Sequence, residues 1–387
     1  MKKPNILPGQ VAINGGSYSI KADRLYSVDA LRGFAALYVL VYHVVLMPDP
    51  KLSLPPWVHP LILNGDSGVT LFFVISAFTL CYTLRARNWE TRLTLKFYLR
   101  RFFRIVPLYY TWLVFMALRA WGLSDVLHHK RELIIYLGFG FNFVPGLQQG
   151  LVLLSWTLGV EMVFYLLFPL VFRLVNTMGK ALVLLGFCLL IARAHFLLIQ
   201  SSSSSNVAWH QFYFSFFHQL PVFAVGILAY FGYERIKRCQ QVPKTWGILL
   251  IVCSLVGLFL LPYVFVEQLL IPKAYAMGGI YAFLLLGLTI CPTALVVNRF
   301  TVFYGTISYS LYLNHPLLVY YFTPVYKYIY SLNYGRTVLL VASLIITLLP
   351  LTLLSYLTYR LIEQRGIYLG SRLIKQFIIQ NSKAEVV

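Results

Sequence analysis

Long apolar segments separated by short basic loops dominate this sequence. Hydrophobic residues make up 59% of the 387 residues, charged residues make up only 11%, and the mean hydropathy is +0.74. A soluble domain of this length needs more polar residues to cover its surface, whereas about 20 apolar helical residues cross the hydrocarbon core of a bilayer. We therefore predict an all-α fold, a polytopic helical membrane protein.

Ten segments are long and apolar enough to be membrane spans. They lie at 28–47, 67–84, 105–121, 151–173, 180–199, 212–231, 246–264, 275–291, 302–322 and 337–360. The apolar piece 133–143 is too short to cross about 30 Å comfortably, so we predict a re-entrant or interfacial segment there.

The basic residues predict the orientation of these spans. With ten spans and a cytoplasmic amino terminus, 23 Lys and Arg residues fall in inner segments and seven in outer loops. An eleventh span would remove this asymmetry, so the positive-inside rule favours ten spans with both termini in the cytoplasm. We predict a cytoplasmic tail over 1–27, a transmembrane domain over 28–362 and a second cytoplasmic tail over 363–387.

Composition also excludes some classes of function. The net charge of +20 indicates no nucleic-acid partner, because the basic residues lie between apolar spans, where they set orientation. The five cysteines include no C-x-x-C pair, so neither a metal site nor a disulfide framework is predicted. No sequence feature predicts a particular oligomeric state.

The first span carries an arginine and a histidine on one helical face. Arg32 and His43 are eleven steps of about 100° apart, which brings them within roughly 20° of each other and about 16 Å apart along the axis. Ionisable groups inside a span are costly and mark candidate functional sites, and imidazole is a candidate base. In the alternative interpretation, both residues lie at the water boundaries of the span.

A basic stretch leads directly into the third span. Arg101 and Arg104 are three residues apart and therefore neighbours on one helix face. Guanidinium groups bind phosphate oxygens in a bidentate manner, so this pair is predicted to hold an anionic cytosolic ligand such as a coenzyme A nucleotide. Lipid headgroups are the alternative ligand.

Two further spans contain polar residues in apolar surroundings. Glu161 is a lone carboxylate in a long apolar helix, where it must be paired, protonated or hydrated. Its predicted roles are to orient an imidazole, to act as an acid or to partner an arginine structurally. Asn314 and His315 lie beside Pro316 and are predicted to bind hydroxyl groups of an acceptor substrate. The alternative is that they form hydrogen bonds between helices.

These stretches together resemble the membrane acyltransferase-3 family of bacterial O-acyltransferases. Its leading Arg-x10-His signature is matched by Arg32 and His43, its Arg-x-x-Arg motif by Arg101 and Arg104, and its Trp-Ser-Leu-x-x-Glu motif by 156–161 with Thr157 for Ser. The Ser-Tyr-x-x-Tyr-x-x-His motif is matched by 308–315. The second-span motif at 68–78 departs from the family pattern, with Thr70 for the usual Asp and Ala77 for Gly; Asp66 is a candidate substitute for the missing carboxylate.

The resemblance implies an integral-membrane enzyme of the bacterial cytoplasmic membrane. It implies transfer of an acyl group, most often acetyl, from cytoplasmic acyl-CoA to a hydroxyl of an exported or cell-surface carbohydrate or glycolipid. Acyl-CoA would be a donor substrate, not a permanently bound cofactor. A macrolide-type small molecule is an alternative acceptor.

The chemistry of this transfer assigns roles to the matched residues. We assign His43 as the base that removes the hydroxyl proton, Arg101 and Arg104 as the phosphate ligands, and Arg32 and Glu161 as electrostatic support. Covalent transfer of the acyl group through His43 is an open alternative. A transporter or flippase is the competing class, although the chain has neither paired halves nor a nucleotide-hydrolysis motif. A structural or sensory membrane protein would leave the polar face of the first span unexplained.

Overall fold

The computed structural model describes residues 24–88, 90–125, 129–202, 210–239, 241–261 and 272–384, and it contains helices but no strands over those ranges. The predicted amino-terminal tail therefore lies almost entirely outside the described residues. The bundle helices are α1 (Tyr26–Leu46), α2 (Gly68–Ala86), α3 (Leu93–Asp125), α4 (Trp156–Leu174), α5 (Met178–Ser202), α6 (Phe216–Arg238), α7 (Lys244–Leu260), α8 (Lys273–Ile290), α9 (Arg299–Thr306), α10 (Ser308–Tyr321), α11 (Arg336–Thr358) and α12 (Gln364–Ala384).

Shorter helical pieces connect the bundle helices. They are the α-helices His59–Leu63, Lys130–Leu137 and Thr323–Ser331, the 3₁₀ turns Asn64–Ser67 and Gly140–Phe143, and the π-helical turn Tyr359–Glu363. The segment 133–143 thus forms a short helix and a 3₁₀ turn. As predicted, it does not add an eleventh span.

The prediction of a polytopic helical membrane protein is confirmed. Within the described ranges, eight helical stretches are long and apolar enough to cross a bilayer, and each coincides with a predicted span. Helix α5 exposes apolar side chains on the outside of the bundle: Val183, Leu190 and Leu198 are 69–74% exposed. Such a surface is stable in hydrocarbon, where apolar side chains need no burial in protein.

Two of the ten predicted spans differ from a single long helix. The seventh is α7, which has 17 residues, and 262–271 after it lie outside the described ranges. The ninth is broken at Ile307 into α9 and α10. A capping box between Asn298 and Thr301 fixes the start of α9.

Helix α1 lies at the centre of the bundle, between α2, α9 and α10. It approaches α9 closely at two glycines. A Cβ atom on Gly33 would lie 2.2 Å from the carbonyl oxygen of Thr301, and one on Gly305 would lie 1.9 Å from the carbonyl oxygen of Asp29. Both distances are shorter than any van der Waals contact, so the two backbones can cross here only through glycine.

We expect Gly305→Ala to destabilise the folded protein. The added methyl group must displace a backbone carbonyl in α1, and overpacking of this kind costs about 1–3 kcal/mol. The matched control is Gly279→Ala in α8, where no atom lies within 4 Å of the added Cβ. Thermal unfolding in detergent measures the effect; equal melting temperatures for the two variants would contradict the close crossing.

The carboxyl-terminal segment continues α11 through the π-helical turn into α12. Gly366 and Gly370 of α12 lie against Phe103 of α3, with added Cβ atoms 2.5 Å and 2.7 Å from it. Glu363, the first residue of the predicted tail, is 1% exposed and accepts a hydrogen bond from Ser310 Oγ (3.0 Å). The boundary at 363 stays a prediction, but the bundle interior includes this carboxylate.

Candidate active site

A cavity of about 90 Å³ lies between α1, α2, α3, α4 and α10. Its polar lining comes from residues that are distant in sequence: Arg32, Ser76, Arg101, Arg104, Thr157, Glu161, Tyr165, Ser308, Tyr309 and Tyr312. Four of the seven predicted site residues therefore surround one space. They are Arg32, Arg101, Arg104 and Glu161.

Arg32 reaches this cavity from the first turns of α1. Its guanidinium lies 3.5 Å from a carboxylate oxygen of Asp29, one turn earlier, and donates to Thr79 Oγ1 on α2 at 3.3 Å. Asp29 also pairs with Arg24 at 2.7 Å. These contacts hold the Arg32 guanidinium within electrostatic range of Arg101 and Arg104.

Arg101 and Arg104 project from the same face of α3, as their spacing predicts. The Arg101 guanidinium lies over the rings of Tyr165 (5.3 Å) and Phe97 (5.9 Å), so its position is fixed by cation–π contacts. Arg104 makes no hydrogen bond or ion pair with another residue of the described ranges. Three guanidinium groups around one cavity form a site suited to an anion.

Glu161 is bound by two hydroxyl groups. Ser76 Oγ donates to Glu161 Oε1 at 2.7 Å, and the Tyr165 hydroxyl donates to the same oxygen. Tyr165 lies one helical turn after Glu161 on α4, while Ser76 comes from α2. Glu161 thus places a carboxyl group in the arginine-lined cavity, where two hydroxyl groups fix its position.

His43 lies outside this cavity, in contact with His315. The Nδ1 atom of His43 is 2.8 Å from the carbonyl oxygen of Val39 and 3.3 Å from Nε2 of His315, and the two ring centroids are 5.0 Å apart. His43 is half-buried, and His315 is completely buried. The two histidines therefore form a second polar cluster of the site.

Tyr312 connects the cavity with the histidine pair. It lines the cavity, its hydroxyl accepts from Thr157 Oγ1 at 3.1 Å, and its ring lies 5.5 Å from the ring of His315. The ring of Phe72 packs edge-on against Tyr312 at 5.7 Å. The site consequently has an arginine-rich part and a histidine part, with Tyr312 between them.

Asn314 occupies a different environment from the one expected for a substrate ligand. Its carbonyl oxygen accepts from Trp112 Nε1 at 2.9 Å, and its amide donates to Thr358 Oγ1 at 2.9 Å and to Ser355 Oγ at 3.4 Å. Asn314 is fully buried. We interpret it as a residue that joins α3, α10 and α11, which is the alternative considered from the sequence.

The departure at Thr70 has no carboxylate substitute in the cavity. Asp66 pairs with Lys273 at 3.1 Å and does not line the cavity. Thr70 itself is buried. The acidic residues near the arginines are instead Asp29, Glu161 and Glu363.

The sequence analysis assigned no role to Ser76, Tyr165, Tyr312 and Glu363, although Ser76 and Tyr312 lie within the matched motifs at 68–78 and 308–315. Tyr165 could have been found, since the i, i+4 spacing from Glu161 places it on the same helix face. The partner of Ser76 is Glu161, which lies on another helix, so this contact could not be read from the local sequence. Glu363 lay beyond the last predicted span and was assigned to a tail.

The fold and this cluster are those of a multi-pass membrane enzyme, and comparison with known proteins defines its class. A family model described as an acyltransferase domain matches residues 25–360. The chain belongs to this acyltransferase-3 family and is an acyltransferase.

Curated relatives are consistent with this class. A protein of Acidianus two-tailed virus that is named as an acetyltransferase is 26% identical over 296 residues, which is 74% of this chain and 81% of that protein. An acyltransferase of Streptomyces mycarofaciens is 30% identical over 162 residues, 40% of each chain. An uncharacterized protein of Haemophilus influenzae is 29% identical over 173 residues, 41% of this chain and 68% of that protein. No solved structure matches this chain significantly.

Proposed function

We propose that the protein transfers a short acyl group, most simply acetyl, from acyl-CoA on the cytoplasmic side of a bacterial cytoplasmic membrane to a hydroxyl of a carbohydrate or glycolipid on the outer side. One observation carries this proposal. Three guanidinium groups line a cavity next to the amino-terminal part of α1, and His43 lies about 16 Å further along the same helix.

The dimensions of coenzyme A fit this separation. The pantetheine arm between its pyrophosphate and its sulfur has twelve chain bonds, the same as four peptide residues, and therefore extends roughly 14 Å. Phosphates bound by Arg101 and Arg104 would place the thioester near His43. Arg32 would support the phosphate charge, and the Glu161 carboxylate would limit the repulsion among the three cations.

The histidine part of the site supplies the base. The acceptor oxygen attacks the thioester carbonyl carbon while its proton moves to His43, the carbon–sulfur bond breaks, and the CoA thiolate takes the proton from the imidazolium. The products are the acyl ester and free CoA, and His43 returns to its neutral form. Direct transfer of this kind needs no covalent acyl-enzyme.

Labelled donor tests the proposed function. Membranes that contain the protein are incubated with radiolabelled acetyl-CoA and a panel of polysaccharide, lipopolysaccharide, glucan and macrolide acceptors. We expect base-labile label on a carbohydrate acceptor, and none with membranes that lack the protein. Label on a macrolide alone would contradict the carbohydrate assignment, and transport of a sugar-linked substrate without label transfer would favour a flippase.

A further inference from the structure

The hydrogen bonds around His43 define which of its nitrogens is basic. A carbonyl oxygen can only accept, so the short contact between Nδ1 and the Val39 oxygen places the proton of neutral His43 on Nδ1. The lone pair of His43 is then on Nε2. This atom is the one available to take a proton from an acceptor hydroxyl.

The same contacts define the tautomer of His315. Its Nε2 atom lies 3.3 Å from Nδ1 of His43, which already carries a hydrogen. Two N–H groups cannot point at each other, so Nε2 of His315 accepts and its own proton lies on Nδ1. That Nδ1 atom is buried and makes no well-aligned hydrogen bond within the described residues; the carbonyl oxygens of Leu311 and Tyr312, about one turn earlier on α10, are the nearby acceptors. Carbonyl oxygens can only accept, so these neighbours agree with a proton on Nδ1 of His315.

His315 is inaccessible to a substrate. Its side chain is 0% exposed, and its ring is enclosed between the rings of His43 and Tyr312. The predicted binding of acceptor hydroxyls by His315 therefore has no support in this geometry. What His315 does contact is the nitrogen of His43 opposite the basic one.

We propose that His315 is the positioning residue of the base His43. Together with the Val39 carbonyl, which sets the tautomer, it holds the ring of His43 in place, and it accepts from Nδ1–H a hydrogen bond that becomes charge-assisted when His43 is protonated at Nε2. The acidic member of a Ser-His-Asp triad has the same relation to its histidine. This inference rests on the proposed role of His43 as the base.

A neutral partner suits this location better than a carboxylate. An ionised carboxylate inside a membrane-spanning bundle needs strong compensation in the resting enzyme, whereas imidazole carries no charge until the reaction proceeds. During the step, the hydroxyl proton goes to Nε2 of His43 and then to the thiolate sulfur. His315 ends the cycle with its original proton on Nδ1.

Two substitutions of His315 test this role. His315→Leu removes the acceptor, and we expect kcat to fall about 10- to 150-fold, the effect of a hydrogen bond to a charged group. His315→Gln places an amide oxygen near the position of Nε2 and should recover activity to within about fivefold of wild type. The KM values for acyl-CoA and for the acceptor should change less than about twofold in both variants, since neither substrate contacts His315 and the charge-assisted strengthening of its hydrogen bond occurs only in the transition state.

The matched control is His218→Gln, which replaces another buried histidine, in α6. We expect it to keep wild-type kcat. In the double variant His43→Gln/His315→Leu, the second change should cause no further loss, because the residues act as one unit.

The outcomes separate this inference from the proposed function. If His43→Gln is inactive and His315→Leu keeps wild-type kcat, the positioning role is wrong and the base assignment stands. If His43→Gln is fully active, the base assignment itself is wrong. A raised acceptor KM with unchanged kcat in His315→Leu would overturn the positioning role in favour of substrate binding. Equal losses in the Leu and Gln variants would reduce His315 to a packing residue.

Discussion

We expect replacement of His43 by glutamine to lower acyl transfer by about 10²- to 10⁴-fold, the usual contribution of a general base. A hydroxyl is a poor nucleophile until it loses its proton, and glutamine keeps the hydrogen bonds of imidazole but cannot accept that proton. Insertion into the membrane and acyl-CoA binding should be unchanged, because the arginine-lined cavity contacts α1 at Arg32 and not at His43. Turnover with labelled acetyl-CoA and a saturating acceptor measures the effect.

The control for this variant is His195→Gln. His195 is also a half-buried histidine on a membrane-spanning helix, and it packs against Phe217 at 4.7 Å, away from the cavity. It should retain wild-type turnover. More than about a tenth of wild-type turnover in His43→Gln would contradict the base assignment, since that corresponds to less than about 1.4 kcal/mol of barrier.

We expect replacement of Arg101 by alanine to raise the KM for acyl-CoA by about 10- to 150-fold, which is the effect of losing a hydrogen bond between charged groups. The value of kcat should change only a few fold, because phosphate binding acts equally on the ground state and the transition state. Arg101→Lys should recover part of the affinity, since an ammonium keeps the charge but loses the fork geometry and the contact with Tyr165.

Arg100→Ala is the neighbouring control on the same helix. Arg100 pairs with Glu90 at 2.7 Å and is absent from the cavity lining. Exposed or partly exposed ion pairs contribute little to stability, so the Arg100→Ala variant should fold normally. Its KM for acyl-CoA should stay within about twofold of wild type, because Arg100 does not line the cavity. If Arg101→Ala leaves the KM unchanged and instead alters the anionic lipid that copurifies with the protein, the arginine pair binds headgroups.

Local patterns in the chain were sufficient to predict the helical membrane fold. Apolar length predicts a span because a lipid-exposed helix satisfies all its backbone hydrogen bonds internally, whatever its neighbours are. The eleven-residue separation of Arg32 and His43 and the three-residue separation of Arg101 and Arg104 likewise follow from helical periodicity. These features depend on residues close in sequence, so no tertiary information was needed.

The grouping of these residues into two parts of a site required the tertiary structure. Arg32 and His43 share a helix, yet one faces the arginine-lined cavity and the other contacts His315, 272 residues away. Helical periodicity places side chains on a face and gives no information about what covers that face. The position of Tyr312 between the two parts results from the packing of α10 against α1 and from the contact of its ring with Phe72 of α2.

Two features show most clearly where sequence reasoning ended. The break at Ile307 occurs beside Gly305, where the backbone of α9 crosses that of α1 at Asp29; apolar length alone predicted one continuous span. Glu363 follows the last apolar segment and reads as a solvated tail residue, but the π-helical turn places it against Ser310 in the interior. The positions of the apolar helices and the charged helix faces follow from local chemistry, because each depends on one segment and its solvent. The partners Ser76–Glu161, Ser310–Glu363 and His43–His315 depend on how the helices cross, which is decided by close packing between segments distant in sequence.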